Sequence, residues 1–300
     1  MNQTAAETML QTMVDPGIRV ARVDSVGGGC ISDSLRVDLV PESFIARTLF
    51  VKTNDLSFAD NFSCEFEGLE ALAKTETIRI PRPFVTGNAN GASWLVIEWM
   101  EPSTRSEAFF PKFGRELAKL HQATAAERIG WPRDNYLGAA KQKNGRDAES
   151  WSDFVAENRI GFQIRWAVDQ GLADAGLRRD CQQILDAMSD LLEGRRAETS
   201  LLHGDLWSGN YLCGSEGQPA LVDPAVSYGC HEAEFGMIRL FGSCPDSFYD
   251  AYQQTWPMRD GWQRRSNVYV LYHLLNHLNL FGSGYLGQCR SVAAEILRAS

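Results

Sequence analysis

The chain has 300 residues, of which 44% are hydrophobic and 22% charged, a composition typical of a folded globular protein. Its 29 Lys and Arg against 38 Asp and Glu give a net charge of -9, which disfavours binding to nucleic acid or to an anionic membrane. No run approaches the roughly 20 apolar residues of a membrane span, and the first residues lack the basic start and apolar core of a signal peptide. We therefore expect a cytoplasmic protein with no nucleic-acid or membrane partner.

The first third of the chain is rich in predicted strands. After a short helix that ends near residue 14, residues 19–26 and 35–40 alternate between apolar and polar positions, and a glycine turn lies between them. Glycines without a Cβ let a backbone approach phosphates closely, so Gly28, Gly29 and Ser32 are candidate nucleotide ligands. The turn matches neither a P-loop nor a complete G-x-G-x-x-G motif, and a plain hairpin turn is the alternative.

A lysine and a glutamate follow at positions that suit phosphate binding. Residues 48–52 form an apolar strand that ends at Lys52, where kinases place the lysine that contacts the α- and β-phosphates of ATP. Residues 61–73 have helical spacing, and Glu65 is the expected ion-pair partner of Lys52. A solvated lysine at a strand end is the alternative, and Glu67 is the competing glutamate on another face of the helix.

A predicted strand then leads out of this first region. It covers residues 94–100 and is followed by Glu101 and a proline, as in the hinge between two lobes of a kinase. The backbone from Glu98 to Met100 is expected to hydrogen-bond the adenine edge of ATP. We place the domain boundary near Glu101, with an ATP-binding lobe at 1–101 and a catalytic and substrate-binding lobe at 102–300.

Helical patterns dominate the second lobe. They cover residues 109–124, 151–168, 172–192, 232–241, 248–255, 262–281 and 291 to the end. Residues 131–150 are polar and rich in Gly and Asn, which favours a surface loop over the cleft. His121 is expected to pack or cap a helix, and His273 and His277 to serve the core or an interface, because no H-E-x-x-H motif or third zinc ligand accompanies them. The predicted fold is α+β, two-lobed and protein-kinase-like.

The strongest chemical signal is the segment 201–210, with the sequence LLHGDLWSGN. Asp205 and Asn210 have the spacing of the kinase catalytic loop H-x-D-x-x-x-x-N, and Asp223 follows an apolar strand at the place of the metal-binding Asp. Phosphoryl transfer from ATP needs a carboxylate at the acceptor hydroxyl and oxygen ligands for Mg²⁺. Gly, Asp, Ser and Asn also favour ordinary turns, which is the alternative interpretation of this segment.

The region after Asp223 limits the kind of acceptor. A protein kinase would continue with an activation segment that ends in A-P-E. Here Asp223 is followed within a few residues by Tyr228, Gly229 and the predicted helix at 232, which leaves no room for such a segment. We therefore expect a small or compact acceptor.

In these features the chain resembles the fructosamine-3-kinases, also called ketosamine-3-kinases. The resemblance covers most of the chain and rests on residues 27–32 (GGGCIS), 50–52 (FVK), Glu65, 68–72 (GLEAL), 80–83 (IPRP), 202–210 (LHGDLWSGN), 223–225 (DPA), 228–229 (YG), Glu232, Glu234 and 272–282. The tryptophan of the H-G-D-L-W-S-G-N motif is the sharpest mark, since relatives that act on aminoglycosides or choline differ there.

The resemblance implies a reaction and a set of roles. ATP and Mg²⁺ would serve to phosphorylate the 3-hydroxyl of a ketosamine, whose product then falls apart and restores the amine. Asp205 would orient and deprotonate the hydroxyl, Asn210 and Asp223 would hold Mg²⁺, and Lys52, fixed by Glu65, would hold the phosphates. Trp207 would offer a flat face to the sugar or its amine substituent. The alternatives are another small-molecule kinase of the aminoglycoside phosphotransferase type and a non-catalytic nucleotide-binding module.

The seven cysteines are scattered and include no C-x-x-C pair, so reduced thiols are expected. By resemblance to relatives with a nucleotide-loop cysteine, Cys30 is a candidate for an oxidant-induced intermolecular disulfide. The protein is thus expected to be a monomer or a redox-dependent homodimer. A small residue tolerated in a turn is the alternative for Cys30.

Overall fold

A computed structural model describes residues 3–27, 31–41, 46–145 and 148–298. The chain divides into two compact units. The first comprises residues 1–109 and 212–223, and the second comprises residues 110–211 and 224–300. The first unit is thus built from two separate stretches of sequence, and the second stretch ends at Asp223.

The first unit contains a five-stranded antiparallel sheet with the strand order β1-β2-β3-β5-β4. Its strands are β1 (Val20–Ser25), β2 (Asp33–Leu39), β3 (Thr48–Asn54), β4 (Pro83–Ala89) and β5 (Ala92–Glu98). Its helices are α1 (Gln3–Met13) and α2 (Ala59–Ala73), and a 3₁₀ turn at Leu56–Phe58 precedes α2. The predicted glycine turn lies between β1 and β2, but Gly28, Gly29 and Cys30 lie outside the described residues.

The alternation of β3 explains how this sheet positions Lys52. Leu49 and Val51 are fully buried and belong to a core cluster that includes Met9 and Leu10 of α1. Successive side chains of a strand point to opposite faces, so Lys52 faces away from this cluster. There it meets α2, since its ammonium pairs with Glu65. A one-residue shift of register would exchange the apolar and the charged faces.

Helices form most of the second unit. They are α3 (Phe109–Ala123), α4 (Trp151–Phe154), α5 (Phe162–Asp169), α6 (Ala175–Asp186), α7 (Met188–Leu191), α8 (Glu234–Leu240), α9 (Asp246–Thr255), α10 (Trp262–Phe281) and α11 (Leu286–Arg298). A π-helical turn at Val155–Gly161 joins α4 to α5, and 3₁₀ turns lie at His231–Ala233 and Ser283–Tyr285. Among the described residues, none of the helices combines the length and the apolar character that crossing a bilayer requires.

Short strands complete the architecture. They are β6 (Asn135–Leu137), β7 (Ala140–Gln142), β8 (Ser200–Leu202), β9 (Tyr211–Cys213), β10 (Pro219–Leu221) and β11 (Ser227–Gly229). They pair as β6 with β7, β8 with β11, and β9 with β10. With the antiparallel sheet in the first third of the chain and helices in the remainder, the predicted α+β class is confirmed.

Residues 131–150 differ from the prediction of a surface loop. They contain the β6–β7 hairpin, and their side chains Asn135, Gln142 and Asn144 are buried. Gln142 Nε2 donates to Asn135 Oδ1 (2.9 Å) and to the Ala225 carbonyl (3.0 Å), and Asn135 Nδ2 donates to the Val226 carbonyl (2.8 Å). The prediction was wrong because these amides are satisfied by one another and by the backbone, which lets a polar segment be buried.

Candidate active site

The first unit brings three of the predicted site residues together. Lys52 Nζ lies 2.7 Å from Glu65 Oε1 and 2.7 Å from Asp223 Oδ1. Strand β3 carries the lysine, α2 carries the glutamate, and the turn after β10 carries the aspartate. The lysine is buried, with 8% of its surface exposed, so its charge depends on these two carboxylates.

The charges of this cluster are coupled. Burial alone would lower the pKa of Lys52, but Asp223 and Glu65 outweigh it and hold that pKa above its usual value. Burial raises the pKa of Glu65 to about 7, although the nearby Lys52 ammonium acts in the opposite direction. The lysine therefore stays a cation, which is the form that binds phosphate.

Asp223 has an unusual backbone conformation. Its φ is 58°, in the left-handed region that few residues other than glycine adopt. Its side chain is 42% exposed, whereas that of Glu65 is 15% exposed. Such backbone strain persists where the surrounding structure imposes it, and it clusters at functional sites. Here it turns an accessible carboxylate toward a buried ammonium.

The second unit holds the predicted catalytic loop, which leaves β8 and precedes β9. Asn210 Nδ2 donates to the backbone carbonyl of Asp205 (2.8 Å) and to its Oδ2 (3.2 Å). The amide of Trp207 donates to the Asp205 carbonyl as well (3.2 Å). Asp205 is half-buried and Asn210 is buried. The loop thus holds the backbone of Asp205 by two hydrogen bonds, and a third reaches its carboxylate.

Gly204 is required by this loop geometry. Its φ is 83°, and a Cβ added to it would lie 2.2 Å from the carbonyl oxygen of Ala225. The Ala225 amide in turn donates to the His203 carbonyl (2.8 Å). The close contact between these two backbone segments explains why glycine precedes the aspartate.

Trp207 belongs to an aromatic group that also contains Phe241, His277 and Tyr285. The ring of Phe241 lies 6.2 Å from that of Trp207 and 4.9 Å from that of His277, and the His277 ring lies 5.2 Å from Tyr285. All four are partly exposed. Burial lowers the pKa of His277, so its imidazole is neutral at pH 7, and its Nδ1 donates to the His273 carbonyl (2.7 Å).

The sequence predicts a core or interface position for His277 and gives no signal for Phe241. No sequence signal joins them to Trp207, because the three residues lie on different elements and meet only through tertiary packing.

The remaining predicted nucleotide ligands lie in the first unit. Ser32 Oγ accepts a hydrogen bond from Asn54 Nδ2 (3.1 Å). The Glu98 amide donates to the Arg82 carbonyl (2.8 Å), and the Glu98 carboxylate pairs with Arg79. Met100 follows the end of β5 and is half-buried. The Glu98 amide is already paired within the sheet, and Met100 lies beyond that pairing. An adenine contact by this backbone stays a prediction.

Each unit offers an oxygen donor of the kind that could hold Mg²⁺. In the first unit Asp223 offers a carboxylate, and in the second the Asn210 NH₂ group donates to Asp205, so the amide oxygen of Asn210 is the atom that could bind a metal. Hard oxygen donors are what Mg²⁺ prefers, usually with few protein ligands and with substrate phosphates completing the shell. The described part of the chain contains no cluster of three or more His, Cys, Asp or Glu that could hold a metal.

Comparison with known proteins also indicates a kinase. The profile described as fructosamine kinase matches residues 1–299. A probable ketoamine kinase of Synechocystis sp. is 39% identical over 296 residues, which cover 99% of this chain and 97% of the relative. The chloroplastic protein-ribulosamine 3-kinase of Arabidopsis thaliana is 37% identical over 284 residues, which cover 93% of this chain and 84% of the relative.

Solved structures agree. A crystal structure from Thermobifida fusca YX-ER1, which carries a provisional fructosamine-3-kinase assignment, is 30% identical with a TM-score of 0.85 and covers 99% of both chains. The aminoglycoside phosphotransferase APH(4)-Ia is 16% identical with a TM-score of 0.67 over 98% of both chains, which shows a shared kinase-like fold. The chain belongs to the fructosamine kinase family.

Proposed function

We propose that the protein is an ATP-dependent kinase that phosphorylates the sugar 3-hydroxyl of ketosamines, the fructosamine or ribulosamine adducts of amines or proteins. The phosphorylated adduct then decays and releases the amine, so the activity amounts to deglycation. One observation carries the proposal. In a member of this family, the catalytic loop holds Asp205 by two hydrogen bonds from Asn210, next to the partly exposed ring of Trp207.

Each residue has a part in this reaction. Asp205 accepts the hydrogen bond of the acceptor hydroxyl, orients its oxygen toward the γ-phosphate and takes its proton. Lys52, fixed by Glu65, binds the phosphates of ATP. Asn210 and Asp223 are the proposed ligands of Mg²⁺, which neutralises phosphate charge when it is bound.

The aromatic group around Trp207 suits the amine of the substrate. The secondary amine of a ketosamine is protonated at neutral pH, and cations bind favourably over aromatic rings. Because the His277 imidazole is neutral, it adds no repulsive charge to this surface. We therefore assign Trp207, Phe241 and His277 to the amine side of the acceptor.

The acceptor assay tests the proposal directly. Purified protein with ATP and Mg²⁺ is given ribulose-lysine, fructose-lysine, kanamycin and choline in parallel, and mass spectrometry identifies the phosphorylated compound. We expect phosphate on the ketosamines. Phosphate on kanamycin or choline alone would support another small-molecule kinase, and no transfer despite ATP binding would support a nucleotide-binding module.

Asp205→Asn tests the catalytic base. The amide keeps the size of the side chain but cannot accept the proton, so we expect kcat to fall about 10²–10⁴-fold while ATP binding is kept. Asp250→Asn, at an exposed position of α9, is the matched control and should leave kcat unchanged. If Asp205→Asn keeps kcat within a few-fold of wild type, Asp205 is not the base.

We also propose that the protein works in the cytoplasm as a monomer that oxidants convert to a dimer through Cys30. The six cysteines in the described part of the chain are unbridged and buried, which suits a reducing compartment and leaves Cys30 as the candidate for intermolecular bonding. Non-reducing gels after peroxide treatment should show a dimer band for wild type and none for Cys30→Ser. An unchanged band in the variant contradicts the role of Cys30.

A further inference from the structure

Glu234, the first residue of α8, contacts the catalytic loop although it lies 29 residues beyond Asp205 in the sequence. Its carboxylate accepts hydrogen bonds from the backbone amides of His203 (2.6 Å) and Gly204 (3.0 Å). Its surface is 1% exposed. The two peptide groups that lead into Asp205 are therefore bound to a buried side chain of another element.

A line of buried polar groups continues from Glu234. His121 of α3 places its Nε2 3.5 Å from Glu234 Oε2, and its Nδ1 lies 2.9 Å from the Tyr252 hydroxyl. His231 Nδ1 lies 2.7 Å from the same hydroxyl. Both imidazoles are fully buried. The four side chains thus connect α8, α3, α9 and the 3₁₀ turn at His231–Ala233.

The Tyr252 hydroxyl joins the two histidines of this line. The Tyr252 hydroxyl has one proton, so it donates to one histidine and accepts from the other. An ionised Glu234 is an acceptor only, and His121 Nε2 is the ring nitrogen that faces it.

The charges of His231 and Glu234 suit these contacts. Burial lowers the pKa of His231 well below its usual value, which keeps that imidazole neutral at pH 7. Burial would raise the pKa of Glu234, but the adjacent His121 and the hydrogen bond from the Gly204 amide bring it below its usual value, so the carboxylate is ionised. An ionised acceptor makes stronger hydrogen bonds to the loop amides than a neutral one would.

We infer that Glu234 is a positioning residue for phosphoryl transfer, and that the His121–Tyr252–His231 line orients its carboxylate so that the loop presents Asp205 to the acceptor hydroxyl. The inference rests on the proposed role of Asp205. Gly204 has no side chain to restrict its backbone, so an external acceptor for the two amides restricts the loop instead. A displacement of about 1 Å at a reacting group can cost on the order of 100-fold in rate.

The first test compares two neighbouring glutamates. Glu234→Gln replaces one acceptor oxygen with an NH₂ group that faces amide donors. Glu232→Gln is the matched control, because Glu232 is equally buried but binds Arg265 (2.6 and 2.7 Å) rather than the loop. We expect Glu234→Gln to lower kcat 10–100-fold with the KM for ATP within twofold. Glu232→Gln should lower Tm at least as much while kcat stays within twofold of wild type.

Hydrogen exchange adds a measurement that a change in stability alone would not affect. In Glu234→Gln, the amides of a peptide containing His203 and Gly204 should exchange faster than in Glu232→Gln at equal distance from each variant's Tm. Equal exchange and equal kcat in the two variants would overturn the inference.

The second test uses two tyrosines of α9. Tyr252→Phe removes the hydroxyl between the two histidines, whereas Tyr249→Phe removes a hydroxyl that pairs with Ser243 Oγ (2.8 Å) and is the matched control. We expect kcat to fall three- to tenfold in the first variant and to stay within twofold in the second. If Glu234→Gln does not fold, the comparison of Tyr252→Phe with Tyr249→Phe tests the inference instead. Equal kcat values in these two variants would exclude a role for the His121–Tyr252–His231 line.

The wild-type assay separates this inference from the proposed function. If wild type phosphorylates an acceptor other than a ketosamine, the same ratios of kcat are measured with that acceptor. The substrate assignment then fails, whereas the positioning role of Glu234 is still decided by its own variants.

Discussion

The two carboxylates at Lys52 differ in how firmly they are held. Glu65 projects from the middle of α2 and is largely buried, whereas Asp223 lies in a turn and is considerably more exposed. Phosphate oxygens that bind Lys52 compete for the same ammonium protons. We therefore expect Glu65 to be the permanent partner of Lys52 and Asp223 the exchangeable one, which would be able to hold Mg²⁺ if the phosphates of ATP took its place at Lys52.

Glu65→Gln tests this difference. Removing the permanent carboxylate leaves Lys52 paired with Asp223 alone, which opposes phosphate binding and leaves the ammonium less well oriented. A hydrogen bond to a charged group contributes about 1.5–3 kcal/mol, so we expect the Kd for Mg-ATP to rise about 10–100-fold in titration calorimetry. Glu67→Gln, on the same helix, is the control and should bind as wild type does. Equal affinities in the two variants would show that Glu65 is not the partner that matters.

The site residues divide into those that sequence could predict and those that it could not. Lys52 and Glu65 follow from strand and helix periodicity, and Asp205 and Asn210 follow from their spacing within one loop. The family resemblance included Glu234, but its contact with the loop could be found only from the structure, because that contact depends on the packing of separate elements and not on their order in the chain.

At the scale of elements, hydrophobic periodicity predicted the long helices and four of the five strands of the sheet, whereas β4 at Pro83–Ala89 was not predicted. Helix α10 was predicted at 262–281 and spans Trp262–Phe281. Periodicity did not predict the β6–β7 hairpin, because periodicity detects apolar faces and this hairpin buries side-chain amides instead. Tyr272 shows how far this network reaches, since its hydroxyl donates to Gln142 Oε1 (2.9 Å) from a helix 130 residues away in sequence.

The contact between α3 and α9 depends on a glycine inside a helix. A Cβ at Gly114 would lie 2.1 Å from the Phe248 carbonyl oxygen and 3.1 Å from the Tyr252 amide nitrogen. Backbone atoms cannot move aside as a flexible side chain can. The absence of a side chain at Gly114 therefore lets the two helices approach, and it places Tyr252 within reach of His121.

Gly114→Ala should accordingly destabilise the protein. We expect the free energy of unfolding to fall by about 1–3 kcal/mol in urea titrations, because overpacking outweighs the helix propensity of alanine. The control is Gly287→Ala in α11, where an added Cβ meets nothing within 4 Å and alanine should gain about 0.5–1 kcal/mol. Should Gly114→Ala match wild type, the two helices can separate at little cost.

At the scale of the whole molecule, the interior holds ionisable groups whose protonation differs between the folded and unfolded chains. His273 in α10 is buried, and its Nδ1 has no hydrogen-bond partner among the described residues. Burial, with a smaller contribution from His277, lowers the pKa of His273 to about 3. His231 is shifted in the same direction, again by burial. Glu65 is shifted the opposite way, to a pKa of about 7.

These shifts predict an acid-sensitive fold. Between pH 6.5 and about 3 an unfolded His273 binds a proton and the folded one does not, so the free energy of unfolding falls as pH falls, by about 1.4 kcal/mol per pH unit for each such histidine. Glu65 has the opposite effect from pH 7 down to its unfolded value near 4.5, because the folded state then binds the extra proton. His277 acts in the same direction as the other two histidines, so three histidines against one carboxylate leave a net loss of stability below about pH 6.5, and the loss steepens below about pH 4.5.

Urea titrations from pH 7 to pH 5 measure this loss, and His273→Gln isolates one of its sources. Glutamine has no proton to gain in this range, so the variant should lose about 1.4 kcal/mol less per pH unit than wild type below pH 6.5. His277→Gln is the comparison, since His277 is only partly buried and its removal should flatten the profile less. Parallel profiles for wild type and His273→Gln would mean that His273 accepts a proton without unfolding. The low pKa assigned to its buried imidazole would then be wrong.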